Sequence, residues 1–459
     1  MSFYQINLAV FAAGNAYLLY RQYQRDRKPP EADLLASELA QEDSDADGDS
    51  FIENGGSVSR EVVRKFQMDF FPVYALAVAA DWLQGPHIYA IYKYEKGIPE
   101  KTVAALYAAG FISGAMSASF AGQLADRHGR RLACLVYCGT YALTCLTMLS
   151  DNLILLFAGR FAGGISTTLL YSVFEAWMIT EYHRRDLGAS NLKLGTVFGY
   201  MTTLSCIVAI TSGIVGDVLV ASLGGRVWPF LASVACSITA AYLIWRTWCE
   251  NYGAKSVSRS SLADIRSGIA TILGDKRILS LGITSCVFEG AMYLFIFFWS
   301  AALKSARAKS GSEEELPYGL IFSSFMCAMM AGSAFFSLST PAHNKESTIF
   351  ILMSMTLLVS ACLSGAVLLE NEKLLFWTLC AVEAAIGAYL PSMSFLKSEV
   401  VEDGVRGKVY SILRFPLNVF VVLVHSLDQE GDGHRNRVFM MLAALLMAAF
   451  FVVKRTFTA

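Results

Sequence analysis

The stretch GQLADRHGRR, residues 122–131, joins two long apolar runs and sets two glycines, one acid and three arginines within ten residues. A tight connection between helices favours glycine, because glycine adopts backbone conformations that other residues avoid. Arginines suit a membrane surface, where basic side chains anchor at the lipid headgroups. This 122–131 connection therefore predicts a turn between two helices at one face of a bilayer. Its spacing, G-x-x-x-D-R-x-G-R-R, is carried by Gly122, Asp126, Arg127, Gly129, Arg130 and Arg131.

The composition of the whole chain requires a lipid environment. Of its 459 residues, 55% are hydrophobic and 16% are charged, with a mean hydropathy of +0.46, whereas soluble domains carry roughly 25% charged residues. Crossing about 30 Å of hydrocarbon takes roughly 20 helical residues. Thirteen stretches of that kind are present: 3–21, 70–92, 101–122, 131–150, 153–181, 194–219, 227–248, 278–303, 317–339, 346–369, 373–397, 407–427 and 436–454.

The orientation follows from the loops, because cytoplasmic loops of membrane proteins carry an excess of Lys and Arg. Of the 37 such residues, 25 fall in the set of alternate loops that begins with the first linker, and ten fall in the other set. The count predicts a cytoplasmic linker, a cytoplasmic C-terminus and an external N-terminus. We expect a multi-pass protein of the cell membrane.

The order of the segments predicts an all-α membrane protein with an internal repeat. Twelve spans divide six and six around the longest later loop, an arrangement common among secondary carriers, whose substrate site lies between the halves. The predicted units are an N-terminal transmembrane anchor at 1–21, an acidic disordered cytoplasmic linker at 22–68, a six-helix bundle at 69–248, a cytoplasmic loop at 249–277 and a second six-helix bundle at 278–459.

The acidic linker contains a stretch similar to a calcium-binding loop. In DSDADGDSFIEN, Asp43, Asp45, Asp47 and Gly48 match the first half of that pattern. Asn54 stands where the pattern needs a bidentate glutamate, so a solvated acidic tether is the favoured interpretation and calcium binding remains open. We predict no metal site and no cofactor.

The 122–131 connection resembles the signature of the major facilitator superfamily, in the loop where that family carries it. The resemblance implies two six-helix bundles, here with one extra N-terminal helix, and alternating access. It also implies that Asp126 and the arginines form a latch that engages when the carrier faces outward. The equivalent loop of the second half, STPAHNK at 339–345, lacks the pattern.

Five separated stretches resemble the molybdate-anion transporter branch of that superfamily. They are ADWLQGPHIYAIY (80–92), SVFEAW (172–177), FEGAMYLFIFFW (288–299), LPYGLIF (316–322) and RFPLN (414–418). The resemblance covers roughly 66–455 and implies import of molybdate, a tetrahedral oxyanion with two negative charges.

Four acids lie in the interior of predicted spans, where an ionisable residue costs roughly 2.5–3.5 kcal/mol on insertion scales. They are Asp81, Glu175, Glu289 and Glu383, on the first, fourth, seventh and tenth of the twelve spans. The resemblance implies that these spans line the central cavity. We therefore expect the four acids to face water or a partner, as proton-coupling or ion-pair residues.

An anion carrier also needs positive charge in reach of its cavity. Arg160 and Arg414 are the arginines in the interior of predicted spans rather than at their ends, and guanidinium groups bind oxyanions bidentately. Arg414 is predicted as substrate ligand or gate, helped by Asn418, and Arg160 as a charge partner; a structural ion pair is the alternative for each. Further candidates for the cavity wall are Trp82, Gln84, Tyr89 and Tyr293.

Other classes of protein find less support in the sequence. The motifs H-E-x-x-H and G-x-S-x-G are absent and the six histidines are scattered, so the chain is not predicted to be an enzyme. No nucleic acid and no obligate protein partner is expected; the partners are the lipid bilayer and a small inorganic anion. Sulfate, another small solute, or a transporter-like sensor that moves nothing remain as alternatives.

Overall fold

The computed structural model describes residues 2–27, 53–118, 120–190, 192–253, 262–311, 314–340, 344–401, 406–426 and 431–457. Residues 28–52, which hold most of the predicted acidic linker and of the calcium-like stretch, lie outside the described residues. Each of the thirteen apolar stretches predicted from the sequence overlaps a described helix, although 70–92 continues into short helical turns and 101–122 spans two helices.

The described chain is helical almost throughout. In chain order the helices are α1 (Phe3–Arg27), α2 (Glu53–Gln84), α3 (Glu100–Ala118), α4 (Ala121–His128), α5 (Arg130–Thr147), α6 (Leu153–Arg184), α7 (Leu194–Leu223), α8 (Trp228–Thr247), α9 (Leu262–Gly274), α10 (Lys276–Lys309), α11 (Tyr318–Ser339), α12 (Lys345–Leu368), α13 (Glu372–Val400), α14 (Arg406–Ser426) and α15 (Asp432–Phe457). After α2 the chain continues through short helical turns at Gly85–His87, Ile88–Ala90 and Ile91–Glu95.

Several helices pass beyond the apolar stretches that predicted them. Helix α2 begins at Glu53, within the linker predicted to be disordered, and α9 lies inside the predicted loop 249–277. The early start of α2 has a packing cause, because Phe66 is fully buried and contacts Phe70 at a ring-centroid distance of 6.1 Å. Among the described helices, eight are long and apolar enough to cross a membrane by length and composition. Helices α3 and α4, bent by 50°, add a ninth if counted together.

The helix contacts repeat between the two halves of the chain. In the first half, the pairs α2–α7, α2–α8, α3–α6, α5–α6 and α5–α8 pack together, and in the second half the pairs α10–α14, α10–α15, α11–α13, α12–α13 and α12–α15 do so. Each pair has its counterpart six transmembrane segments later. The two halves join along two seams, α7 with α11 and α3 with α14, which are also equivalent under this repeat.

Helix α1 packs on the second half, against α11. Buried Asn15 donates a hydrogen bond from Nδ2 to the carbonyl oxygen of Cys327, at 2.8 Å. The ring of Tyr4 contacts the ring of Phe376 at a centroid distance of 5.1 Å. The predicted anchor is therefore an added layer of the second half.

Candidate functional site

Asp81 in α2 is held by two tyrosine hydroxyls. Tyr141 donates to Oδ1 at 3.0 Å and Tyr171 donates to Oδ2 at 3.2 Å. Gln84, one turn along α2, donates from Nε2 to the Tyr141 hydroxyl. Asp81 thus has neutral donors, from α5 and α6, in place of a salt bridge.

Glu289 in α10 has a lysine, a serine and, at the longer distance of 3.5 Å, the Tyr389 hydroxyl as partners. The Lys397 Nζ atom lies 3.8 Å from Glu289 Oε1, and Ser285 Oγ donates to the same oxygen at 2.9 Å. Lys397 also donates to Ser285 Oγ, at 2.8 Å. Both charged side chains are about four-fifths buried, at 17% and 20% exposed. A serine hydroxyl therefore bridges a loosely spaced ion pair between α10 and α13.

The two predicted arginines lie in different surroundings. Arg414 in α14 is exposed and close enough to Lys397 and Tyr293 to act on both electrostatically. Arg160 in α6 lies over the ring of Tyr107, with its Cζ atom 5.2 Å from the centroid, and its buried Nε atom has no hydrogen-bond partner. Neither arginine forms an ion pair with an acid among the described residues.

A glycine makes room for Arg160. A Cβ atom at Gly110 would lie 3.1 Å from the Arg160 Nη2 atom, so the small residue of α3 lets the guanidinium pass between α3 and α6. Asp81 lies within electrostatic range of Arg160. The first half thus places one cation near its buried carboxylate without pairing the two.

The other two predicted acids are separate from these groups. Glu175 is exposed, and Glu383 is 5% exposed within the packing of the second half. Within the described part of the chain, neither has a hydrogen-bond or ion-pair partner. Asn418 is half-buried and likewise lacks a described partner.

The predicted aromatic residues lie where the halves meet. Trp82 contacts Phe322 at a ring-centroid distance of 5.8 Å, and Tyr293 contacts Phe111 at 5.0 Å. Tyr89 is buried and donates to Glu100 Oε1 at 3.0 Å. These side chains pack the two halves together, which is the ordinary role of aromatics at helical spacing.

The seam between α7 and α11 is closed by a carboxylate at a helix start. Asp217 accepts hydrogen bonds from the backbone N–H groups of Gly319 and Leu320, each at 2.8 Å. The backbones approach closely there, since a Cβ at Gly319 would lie 2.1 Å from the Gly213 carbonyl oxygen. A carboxylate at a helix N-terminus satisfies free N–H groups and opposes the positive end of the helix dipole. This seam lies at the far end, by which we mean the end of the helices opposite the 122–131 connection.

Loop residues reinforce closure at the far end. Arg226 pairs with Glu315 of the second half at 2.7 Å and with Glu95 of the first at 3.6 Å. Burial acts to lower the pKa of Arg226, but the hydrogen bond and charge of Glu315 outweigh it, so the pKa lies above its ordinary value. At the other seam, His425 of α14 contacts Phe111 of α3 at 5.8 Å between ring centroids.

The 122–131 connection is tied to its own half. Arg130 donates from Nε to Asp126 Oδ1 at 2.7 Å and from Nη1 to the Ala176 carbonyl at 2.9 Å. Arg131 donates from its backbone N–H to Glu250 at 2.8 Å and from Nη2 to the Trp245 carbonyl at 2.8 Å. Glu250 therefore caps the start of α5 from the segment that follows α8.

The two glycines of the connection differ. Gly129 has φ of 117°, and a Cβ there would lie 2.5 Å from the Glu250 carboxylate carbon, so this position needs glycine. Gly122 is exposed and a Cβ there would meet nothing within 4 Å. Arg127 is exposed as well.

Sequence reasoning missed Lys397, Asp217 and Arg226. The apolar stretch 373–397 ends at Lys397, so the sequence places this lysine at the edge of a span, yet α13 continues to Val400. Asp217 sits in an apolar stretch, which was the available signal for it. Its partners are backbone groups of another helix, which leave no signature in the sequence.

Comparisons with known proteins agree with this architecture. A family model described as sugar transporters with 12 transmembrane segments matches residues 54–371. Molybdate-anion transporters of Xenopus tropicalis and Xenopus laevis are 31% and 32% identical over 419 residues, covering 88% of this chain and 88–89% of theirs. The solved structure of a mutant of the nucleoside transporter NupG superposes on this chain with a TM-score of 0.67 and 13% sequence identity. The superposition covers 86% of this chain and 99% of the NupG chain.

The repeated six-helix contact pattern, the 122–131 connection and the family match define a multi-pass membrane transporter of the major facilitator class. Within that class, the extent of its similarity to the curated relatives decides the branch. The chain belongs to the molybdate-anion transporter family.

Proposed function

We propose that this protein carries molybdate across a membrane by alternating access, with Lys397 and Arg414 receiving the oxyanion. The curated relatives, which are molybdate-anion transporters, support the substrate. The observation that carries the proposal is the Glu289–Lys397 pair, because it holds a buried cation beside a counter-ion 3.8 Å away. An incoming dianion can take the place of the Glu289 carboxylate at Lys397.

The charged residues favour an oxyanion over a sugar. A neutral sugar would be bound by hydroxyl and amide groups, with no need for a lysine at four-fifths burial. Lysine supplies a compact positive charge to an oxyanion, and arginine supplies two parallel N–H donors. The chemistry is ligand exchange at fixed cations, so we attribute no enzymatic activity to the chain.

Asp81 is our proposed proton site. Its tyrosine partners can donate to a carboxylate and can rearrange around a carboxylic acid, because a hydroxyl both donates and accepts. The lysine beside Glu289 can only donate a hydrogen bond, so it cannot rearrange around a carboxylic acid in this way. The first half would thus couple the proton and the second half would bind the anion.

The moving parts would be the two six-helix bundles, 69–248 and 278–459. Contacts at the far end support a conformation closed there, and alternating access would then require opening toward the 122–131 connection. With that connection on the cytoplasmic side of the cell membrane, as the loop charges predict, this is the inward-facing state, and the Asp126 latch would engage when the carrier faces outward.

Uptake by purified protein in sealed vesicles tests the proposal. We expect labelled molybdate to enter, uptake to respond to an imposed pH step, and the pH response to be lost in Asp81→Asn. Excess unlabelled sulfate should leave uptake unchanged if the carrier is specific for molybdate, and should reduce uptake if the carrier accepts oxyanions in general. Absence of uptake under every gradient would reject transport and favour a sensor.

A further inference from the structure

A basic cavity of about 550 Å³ lies within the first half, among the ends of α2, α6 and α8. It opens at the end that carries the 122–131 connection, since the segment after α8 docks on that connection through Glu250. The cations in its wall are Lys65, Arg184, Arg185 and Arg246. The cavity belongs to the first bundle, and its wall does not include Asp81, Glu289, Lys397 or Arg414.

The cavity carries an excess of positive charge. Arg185 pairs with Asp69 at 3.0 Å and with buried Glu181 at 3.1 Å, and Arg184 pairs with Glu181 at 2.8 Å. Lys65 and Arg246 are exposed and have no ion pair or hydrogen bond within the described residues. Four cations therefore face two carboxylates, and two of the cations are available to a ligand.

The wall of the cavity is held rigid by aromatic packing. Trp248 stacks on Trp177 at a centroid distance of 3.6 Å and donates from Nε1 to the Asp69 carbonyl at 2.8 Å. Arg185 lies over the ring of Phe66, with Cζ 5.8 Å from the centroid. The paired cations are thus positioned before any ligand arrives, which lowers the entropy cost of binding.

We propose that this cavity binds an anion that carries two or more phosphate groups. The cations project from three different helices, so a ligand that engages them needs charges spread over its surface. Guanidinium groups bind phosphate bidentately, and the volume is within the range of small-molecule pockets, roughly 300–1,000 Å³. Helix ends at a membrane surface place such a cavity in reach of both a phosphoinositide headgroup and a soluble inositol polyphosphate.

Binding measurements on the full chain test the proposal and identify the source. One arm titrates inositol hexakisphosphate onto detergent-purified protein. The other places the protein in nanodiscs of phosphatidylcholine with or without phosphatidylinositol bisphosphate and detects retained lipid by native mass spectrometry. We expect binding in at least one arm; the arm that binds more tightly identifies a soluble or a lipid ligand.

The variant Lys65→Gln/Arg246→Gln removes the two unpaired cations and leaves the ion pairs of Arg184 and Arg185 intact. We expect affinity to fall roughly tenfold for each lost charge-assisted contact. Arg64→Gln is the matched control, because Arg64 is an exposed neighbour outside the cavity wall, and it should bind as wild type does. No binding in either arm, or equal loss in the control and the double variant, would overturn the proposal.

Discussion

The two halves of the molecule hold acids at corresponding places in their first spans, but in different chemical settings. Asp81 of the first half accepts from the hydroxyls of Tyr141 and Tyr171. Glu289 of the second half shares Ser285 with a lysine on the neighbouring helix. A charged partner stabilises only the ionised acid, and this difference is why we propose Asp81 as the proton site and Glu289 as a counter-ion.

The halves differ at their connecting loops as well. The 122–131 connection of the first half is bound to α6 and to the end of α8 by Asp126, Arg130 and Arg131. The corresponding stretch 339–345 of the second half lacks these charges, and its residues 341–343 lie outside the described part of the chain. Repeated helix packing therefore tolerates unequal chemistry at the two equivalent connections.

The largest effect is expected from Lys397→Met, which tests the counter-ion role of Glu289. Removing the lysine leaves a buried carboxylate unpaired, a loss of roughly 3–5 kcal/mol, and removes a cation from the proposed anion site. We expect molybdate uptake to be abolished and the thermal midpoint to fall. The double variant Glu289→Gln/Lys397→Met should regain stability without regaining uptake. Normal transport by the double variant would reject the proposed role of Lys397 in anion binding.

A matched pair of amide variants sharpens the difference between the halves. Glu289→Gln leaves Lys397 without its counter-ion and should cost roughly 3 kcal/mol. Asp81→Asn keeps an oxygen that accepts from a tyrosine, so its cost should stay below about 1 kcal/mol. Denaturation of the two variants in the same detergent provides the measurement, and equal losses would show that the two acids are equivalent after all.

A smaller effect is expected from Gly129→Ala in the connection of the first half. A residue with a side chain at φ 117° is strained, at roughly 1–3 kcal/mol, and the new Cβ would displace Glu250 from the start of α5. Gly139→Ala on α5 is the control, because a Cβ there meets nothing within 4 Å. We expect only Gly129→Ala to lower the unfolding temperature; equal midpoints would remove the proposed cap.

The smallest effect is expected from Gly122→Ala. Its Cβ has open space, and alanine in place of a helical glycine shifts the free energy of unfolding by no more than about 1 kcal/mol. Stability and uptake should both match wild type. Loss of uptake at unchanged stability would reveal that this glycine is closely approached in another conformation of the carrier.

Much of the fold was predictable from the sequence, because the apolar stretches and the loop charges report directly on lipid and water. Glu289 was placed on the correct helix, but its partner was not, since Lys397 lies more than a hundred residues away at the end of an apolar run. Glu383 shows a second limit. The resemblance implies that its span lines the cavity, and in the structure Glu383 is 5% exposed within the packing of the second half; a helix has several buried directions, which periodicity does not distinguish.

The amino-acid sequence alone indicated that this chain is a membrane protein, where its apolar segments lie and which family it belongs to, because hydrocarbon thickness and turn chemistry act locally along the chain. Tertiary structure decided which charges meet. The Glu289–Lys397 pair, the capping of α11 by Asp217 and the basic cavity around Arg185 each join separate helices. Contacts of this kind depend on the rotation and depth of each helix, which are set by side-chain packing across the whole bundle.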